Sequence, residues 1–82
     1  MIVLDGSKMT DRAALHAELK RKLELPDYYG GNLDALNDCL GERRERALIV
    51  VENANALLEE NGDYGAAMLR VILNNGNQVL LN

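Results

Sequence analysis

Ala47-Leu48-Ile49-Val50-Val51 is a near-continuous apolar run of strand length, and such a run without polar alternation marks a central strand of a parallel sheet, buried on both faces. Upstream of it, Glu42 to Arg46 alternates in charge and reads as a turn. Downstream, Asn53 or Asn55 caps a short helical piece through Glu60, which Asn61-Gly62 stops. Asp63 then opens another helix to about Leu73, with Leu69, Ile72 and Leu73 as its core stripe and Asn75-Gly76 as its end. Gln78-Val79-Leu80-Leu81 makes a C-terminal strand. At the other end, Met1–Leu4 is a short strand, expected to be buried on both sides, closed by the turn pair Asp5-Gly6. Thr10 or Asp11 caps the next helix, where Leu15, Leu19 and Leu23 recur at helical spacing and Lys20, Arg21 and Lys22 complement the dipole at its C-terminal end. His16 reads as a surface or edge residue of that helix. The order is β-α-α-β-α-α-β. Strands joined by helical crossovers pair in parallel, and the crossovers are right-handed. The expectation is therefore an α/β fold: a three-stranded parallel sheet with the second strand central, about four helices, the first and last long helices on one face, and a short second helix at the margin.

With 82 residues, the chain makes one domain, near the size where about 60% of the unfolded surface is buried. It has no Trp and no Phe, so the core must be aliphatic. A formal net charge of −4 argues against direct binding of nucleic acid or an anionic membrane, and for a basic partner or simple solubility. The single Cys39 allows no internal disulfide and favours the cytoplasm. No signal peptide is evident, and no apolar run approaches the ~18 residues of a membrane helix. The chain reads as complete and soluble.

The chemistry concentrates between Leu25 and Gly41, L-P-D-Y-Y-G-G-N-L-D-A-L-N-D-C-L-G, which holds the only proline. Pro26 ends the first helix, because the residue before a proline is pushed toward extended geometry. Asn32 caps a second helix, Leu33, Leu36 and Leu40 form its narrow apolar stripe, and Gly41 stops it. Opposite that stripe lie Asp34 and Asp38, four residues apart, where like charges cost an isolated helix about 0.2–0.5 kcal/mol. No lysine is placed to relieve them. Gly30-Gly31-Asn32 matches neither G-x-G-x-x-G nor a P-loop, and Cys39 has no basic partner that would activate it. Two adjacent tyrosines in a loop usually send one ring inward and one outward. An exposed ring, flexible glycines and an uncompensated acidic helix face form a patch suited to a cationic cleft. Two other readings remain open: a small metal-dependent enzyme using Asp34, Asp38 and Cys39, and a self-associating scaffold using the Tyr28–Tyr29 loop.

Over those same residues the chain resembles the barstar family, intracellular inhibitors of barnase-type ribonucleases. L-P-x-Y-Y-G-x-N-L-D-A-L-x-D-C-L is a long and specific pattern of that family, and weaker similarity reaches Leu15-His16, Leu48–Glu52 and Glu60-Asn61-Gly62. The resemblance implies one barstar-like domain over 1–82 that binds a basic ribonuclease or a toxin ribonuclease domain. It further implies no catalysis and no cofactor, with a monomer when free and a 1:1 heterodimer when bound. It places Asp38 where an RNA phosphate would sit, Asp34 against a basic residue at the cleft's rim, and Tyr28 stacked on a catalytic imidazole or guanidinium. Gly30, Gly31 and Asn32 would shape the loop's approach. Asn37 stands where the best-known member has a tryptophan, and Val71-Ile72-Leu73 lacks that member's acidic position on the last helix.

Overall fold

Three parallel strands lie side by side in chain order in the computed structural model, which describes all residues from Met1 to Asn82. Strand β1 (Ile2–Asp5) pairs with β2 (Leu48–Glu52), and β2 pairs with β3 (Gln78–Leu81). Ile2, Ile49 and Val79 are in register, as are Leu4, Val51 and Leu81. The helices are α1 (Arg12–Lys22), α2 (Leu33–Glu42) and α3 (Ala54–Asn74). The central place of the second strand and the parallel pairing are as the apolar run required.

Side chains alternate across a strand, so β2 sends Ile49 and Val51 into the core while Val50 points the other way. The core cluster contains Ile49 and Val51 but not Val50. On the Val50 side, Leu80 is 53% exposed and Val3 is half-buried. Burial of β1 on both sides is therefore not what the chain achieves. An 82-residue chain spends its helices on one face, and the strands are too short for a second layer. The core is aliphatic, with Leu4, Leu15, Leu36, Leu57 and Ile72 fully buried, and Tyr29 and Tyr64 packed at its margin.

Several boundaries differ from the sequence reading, each for a local reason. β1 runs one residue further, to Asp5, whose side chain accepts from the Ser7 N–H at 3.0 Å and so opens a 3-10 turn over Gly6–Lys8. Gly6 is fixed there by close approach: a Cβ would lie 2.3 Å from the Asn53 carbonyl oxygen. β2 begins at Leu48, because Ala47 closes the neighbouring turn, its N–H donating to Asn77 Oδ1 at 3.0 Å. Asn53 precedes α3 with φ 54° and makes no side-chain cap; its Nδ2 instead donates to Asp5 Oδ1 at 3.1 Å. The two helical pieces expected after β2 abut directly, broken only at Gly62 with φ 53° and ψ −130°. Asn61 holds this break against the rest of the molecule, its Nδ2 donating to the Met9 carbonyl at 2.7 Å.

The charged residues of α1 are not uniformly solvated. Glu18 is 4% exposed, accepts from the Asp5 N–H at 2.9 Å and pairs with Arg21. His16, read as a surface residue, is 5% exposed, because tyrosine hydroxyls from two other segments satisfy both its ring nitrogens.

Candidate protein-binding site

The loop between α1 and α2 begins where Leu25 N–H returns to the Lys20 carbonyl at 2.9 Å, and it turns tightly through a Tyr29 N–H bond to the Pro26 carbonyl, also 2.9 Å. The two tyrosines separate as adjacent loop tyrosines should. Tyr28 is 79% exposed, whereas Tyr29 packs against the core cluster. Gly31 adopts φ +68° with open space around its α-carbon, and Asn32 follows as the cap of α2. Its Oδ1 accepts from the Ala35 N–H at 2.8 Å, which leaves its amide Nδ2 free to donate outward.

α2 does not stop at Gly41. It continues through Glu42 and ends at Arg43, which is extended and whose guanidinium donates to the Leu23 carbonyl at 2.8 Å. A glycine tolerates helical geometry when the residues beyond it are held, and here Arg43 supplies the hold. This extra length has a chemical consequence: Asp34, Asp38 and Glu42 stand at successive i,i+4 positions, one above another on the same exposed face. Asp34, in the first turn, complements the helix dipole, while Glu42 in the last turn opposes it. No basic residue occupies that last turn. The one ion pair in the molecule joins Arg21 to Glu18, so all three carboxylates on α2 lack a cationic partner.

Between the loop and α2 lies a pocket of about 200 Å³ lined by Tyr28, Tyr29, Gly30, Ala35, Asp38, Cys39 and Glu42. Tyr28, Gly30 and Asp38, three of the residues expected at the partner-binding surface, thus meet around one hollow with no Lys or Arg in its wall. Gly31, Asn32, Asp34 and Asn37 lie outside the lining. Asn37 is turned toward the end of α3, its Oδ1 accepting from Asn75 Nδ2 at 2.9 Å. Glu42 is the acidic residue that sequence reading missed. Its signal was the spacing from Asp38, hidden by taking Gly41 as a stop. Burial first, then the Glu42 and Asp38 carboxylates, push the Cys39 thiol above its ordinary range, which keeps it a thiol. No group of three His, Cys, Asp or Glu side chains is gathered to hold a metal ion, so Asp34, Asp38 and Cys39 do not form the ligand set that a metal-dependent enzyme would need. No helix is long and apolar enough to cross a membrane.

Fold and surface together define a small α/β domain that presents a loop and an acidic helix. The family model described as "Barstar (barnase inhibitor)" matches residues 1–79, and the chain belongs to the barstar family. It is also 43% identical over 75 residues to "Putative ribonuclease inhibitor YrdF" of Bacillus subtilis (strain 168), with 87% of this chain and 79% of that protein covered. As a member of this family the chain is a ribonuclease-inhibitor or immunity-type protein and not an enzyme.

Proposed function

We propose that the chain blocks the active site of a basic microbial ribonuclease, or of a toxin ribonuclease domain, by inserting α2 and its preceding loop in a 1:1 complex. The observation that carries this reading is the unpaired column of Asp34, Asp38 and Glu42 beside the 79% exposed Tyr28. A ribonuclease cleft concentrates cations around the transferring phosphate, and a carboxylate is a compact anion that accepts charge-assisted hydrogen bonds as phosphate does. Asp38, in the wall of the pocket, takes the phosphate's place. Asp34, one turn nearer the helix start, reaches a basic residue at the rim, and Tyr28 stacks on a catalytic imidazole or guanidinium. Gly30 and Gly31 let the loop backbone approach closely, the free Nδ2 of Asn32 donates into the cleft, and Asn37 forms the border toward α3. The absence of a disulfide fits a reducing compartment such as the cytoplasm.

The test is inhibition of RNA cleavage by a panel of small basic microbial ribonucleases, with Asp38→Ala as the paired control. Wild type should inhibit at least one enzyme, and the variant should release it faster, since losing a buried charge contact acts mainly on dissociation. Association should slow as salt rises, because the steering is electrostatic. Undiminished inhibition by the variant would move the site off α2.

A further inference from the structure

Residues 26–31, which present Tyr28, make one hydrogen bond to any other element of the fold. It runs from the Tyr29 hydroxyl to His16 Nδ1 of α1, at 2.5 Å. The opposite nitrogen of the same ring, Nε2, lies 2.6 Å from the hydroxyl of Tyr64, which sits just beyond the Gly62 break in α3. Ring centroids are 5.7 Å apart for His16 and Tyr29 and 5.8 Å for His16 and Tyr64. The loop, α1 and α3 are thus joined through one imidazole, and neither hydroxyl has another partner.

A neutral imidazole has one N–H and one lone pair, so with both nitrogens engaged one tyrosine donates to the ring while the other accepts from it. An imidazolium has two N–H groups. Both hydroxyls would then have to accept, and the one that had donated would lose the ring as its acceptor, the only one the fold gives it. The surroundings oppose the extra charge. From its own helix, the Arg12 guanidinium sits 4.1 Å from the centre of the Tyr64 ring. From α2, the Cys39 thiol lies beside Tyr29 and stays protonated. Burial, followed by proximity to Tyr64 and Cys39, raises the Tyr29 hydroxyl far above physiological pH, so it cannot supply a compensating anion. No carboxylate contributes to the titration of His16, which burial alone shifts below its ordinary 6.5.

We propose that His16, held from behind by Tyr64, is the positioning residue of the inhibitory loop, and that protonating it releases the Tyr28–Tyr29–Gly30 turn. The effect on the loop follows from the geometry; the effect on inhibition rests on the function proposed above. The sign is fixed by linkage. A group whose folded pKa lies below its unfolded value contributes fully above the unfolded value, near 6.5, and loses that contribution as pH falls through the folded pKa.

The experiment measures amide hydrogen exchange of residues 27–31 in the free protein from pH 8 to about pH 5. It compares wild type, Tyr64→Phe and His16→Gln, and then the dissociation rate from whichever ribonuclease is inhibited. Tyr64→Phe keeps the ring and removes the hydroxyl, so protection of the Tyr29 amide at pH 8 should fall about 2- to 12-fold, the worth of one neutral hydrogen bond. Wild type should lose protection below about pH 6.5. His16→Gln, which keeps a donor and an acceptor but cannot titrate, should hold its protection across that range. Unchanged protection and an unchanged pH profile in Tyr64→Phe would overturn the proposal, and this arm stands even if His16→Gln fails to fold. In the complex, Tyr64→Phe should speed dissociation by a similar factor. A loosened loop with unaltered dissociation would overturn the loop's part in inhibition while leaving Asp38 to its own test.

Discussion

Replacing Asp38 with Asn should stabilise the free protein, and the size of the gain follows from the geometry of α2. Asp38 has a like charge four residues away on each side, Asp34 and Glu42, and its carboxylate makes no hydrogen bond or ion pair that the substitution would sacrifice. Asn has nearly the same volume and a similar helix propensity, so the change isolates charge. Two like-charge i,i+4 pairs at about 0.2–0.5 kcal/mol each give roughly 0.4–1.0 kcal/mol. In a domain of this size that corresponds to a rise in Tm of about 2–8 °C. Thermal melts by circular dichroism, run at about 20 mM and at 1 M salt, provide both the value and its cause. The Debye length of about 3 Å at 1 M is shorter than the roughly 5–6 Å between side chains on adjacent turns, so the gap between variant and wild type should close. A variant no more stable than wild type at low salt, or a gain that persists at 1 M, would refute the electrostatic account of this face. The same substitution should weaken inhibition, so stability and binding would move in opposite directions at one residue.

Two further substitutions test how the fold holds its site. Gly6→Ala puts a methyl group 2.3 Å from the Asn53 carbonyl oxygen and 2.8 Å from that of Glu52; both are backbone atoms, so the cost should reach at least about 3 kcal/mol, the upper end of overpacking penalties, read as a lower midpoint in urea. Glu18→Ala strips the Asp5 N–H of its acceptor and Arg21 of its partner, and should lower stability by about 1–3 kcal/mol with an unchanged m value; a neutral result would show that water replaces the carboxylate there.

The three carboxylates on α2 make a locally unfavourable pattern. The preceding helix follows the ordinary rule: α1 gathers Lys20, Arg21 and Lys22 at its C-terminal end, where the dipole favours them. α2 has no basic residue in its last turn and carries Glu42 instead. The inhibitory reading accounts for that departure, because a partner's cations would supply the charge that the chain withholds.

Elements of this fold were legible because their causes are contiguous in sequence. The apolar run at Ala47–Val51, the leucine spacing in α1 and α2, the proline at 26 and the asparagine cap at 32 each act over a few residues, and together they specify a parallel three-stranded sheet. The acidic face and exposed tyrosine were legible for the same reason, since Asp34, Asp38 and Tyr28 fall within eleven residues of one another, counted inclusively. Tertiary structure alone decided what lies behind that face. His16 meets Tyr29 across 13 residues and Tyr64 across 48, Glu18 reaches back to Asp5, and Arg43 carries α2 past Gly41 by gripping Leu23. No local periodicity encodes such pairings. They arise when the crossovers between parallel strands bring distant segments onto one side of a sheet, where a buried imidazole or carboxylate must find partners because water is no longer there to serve.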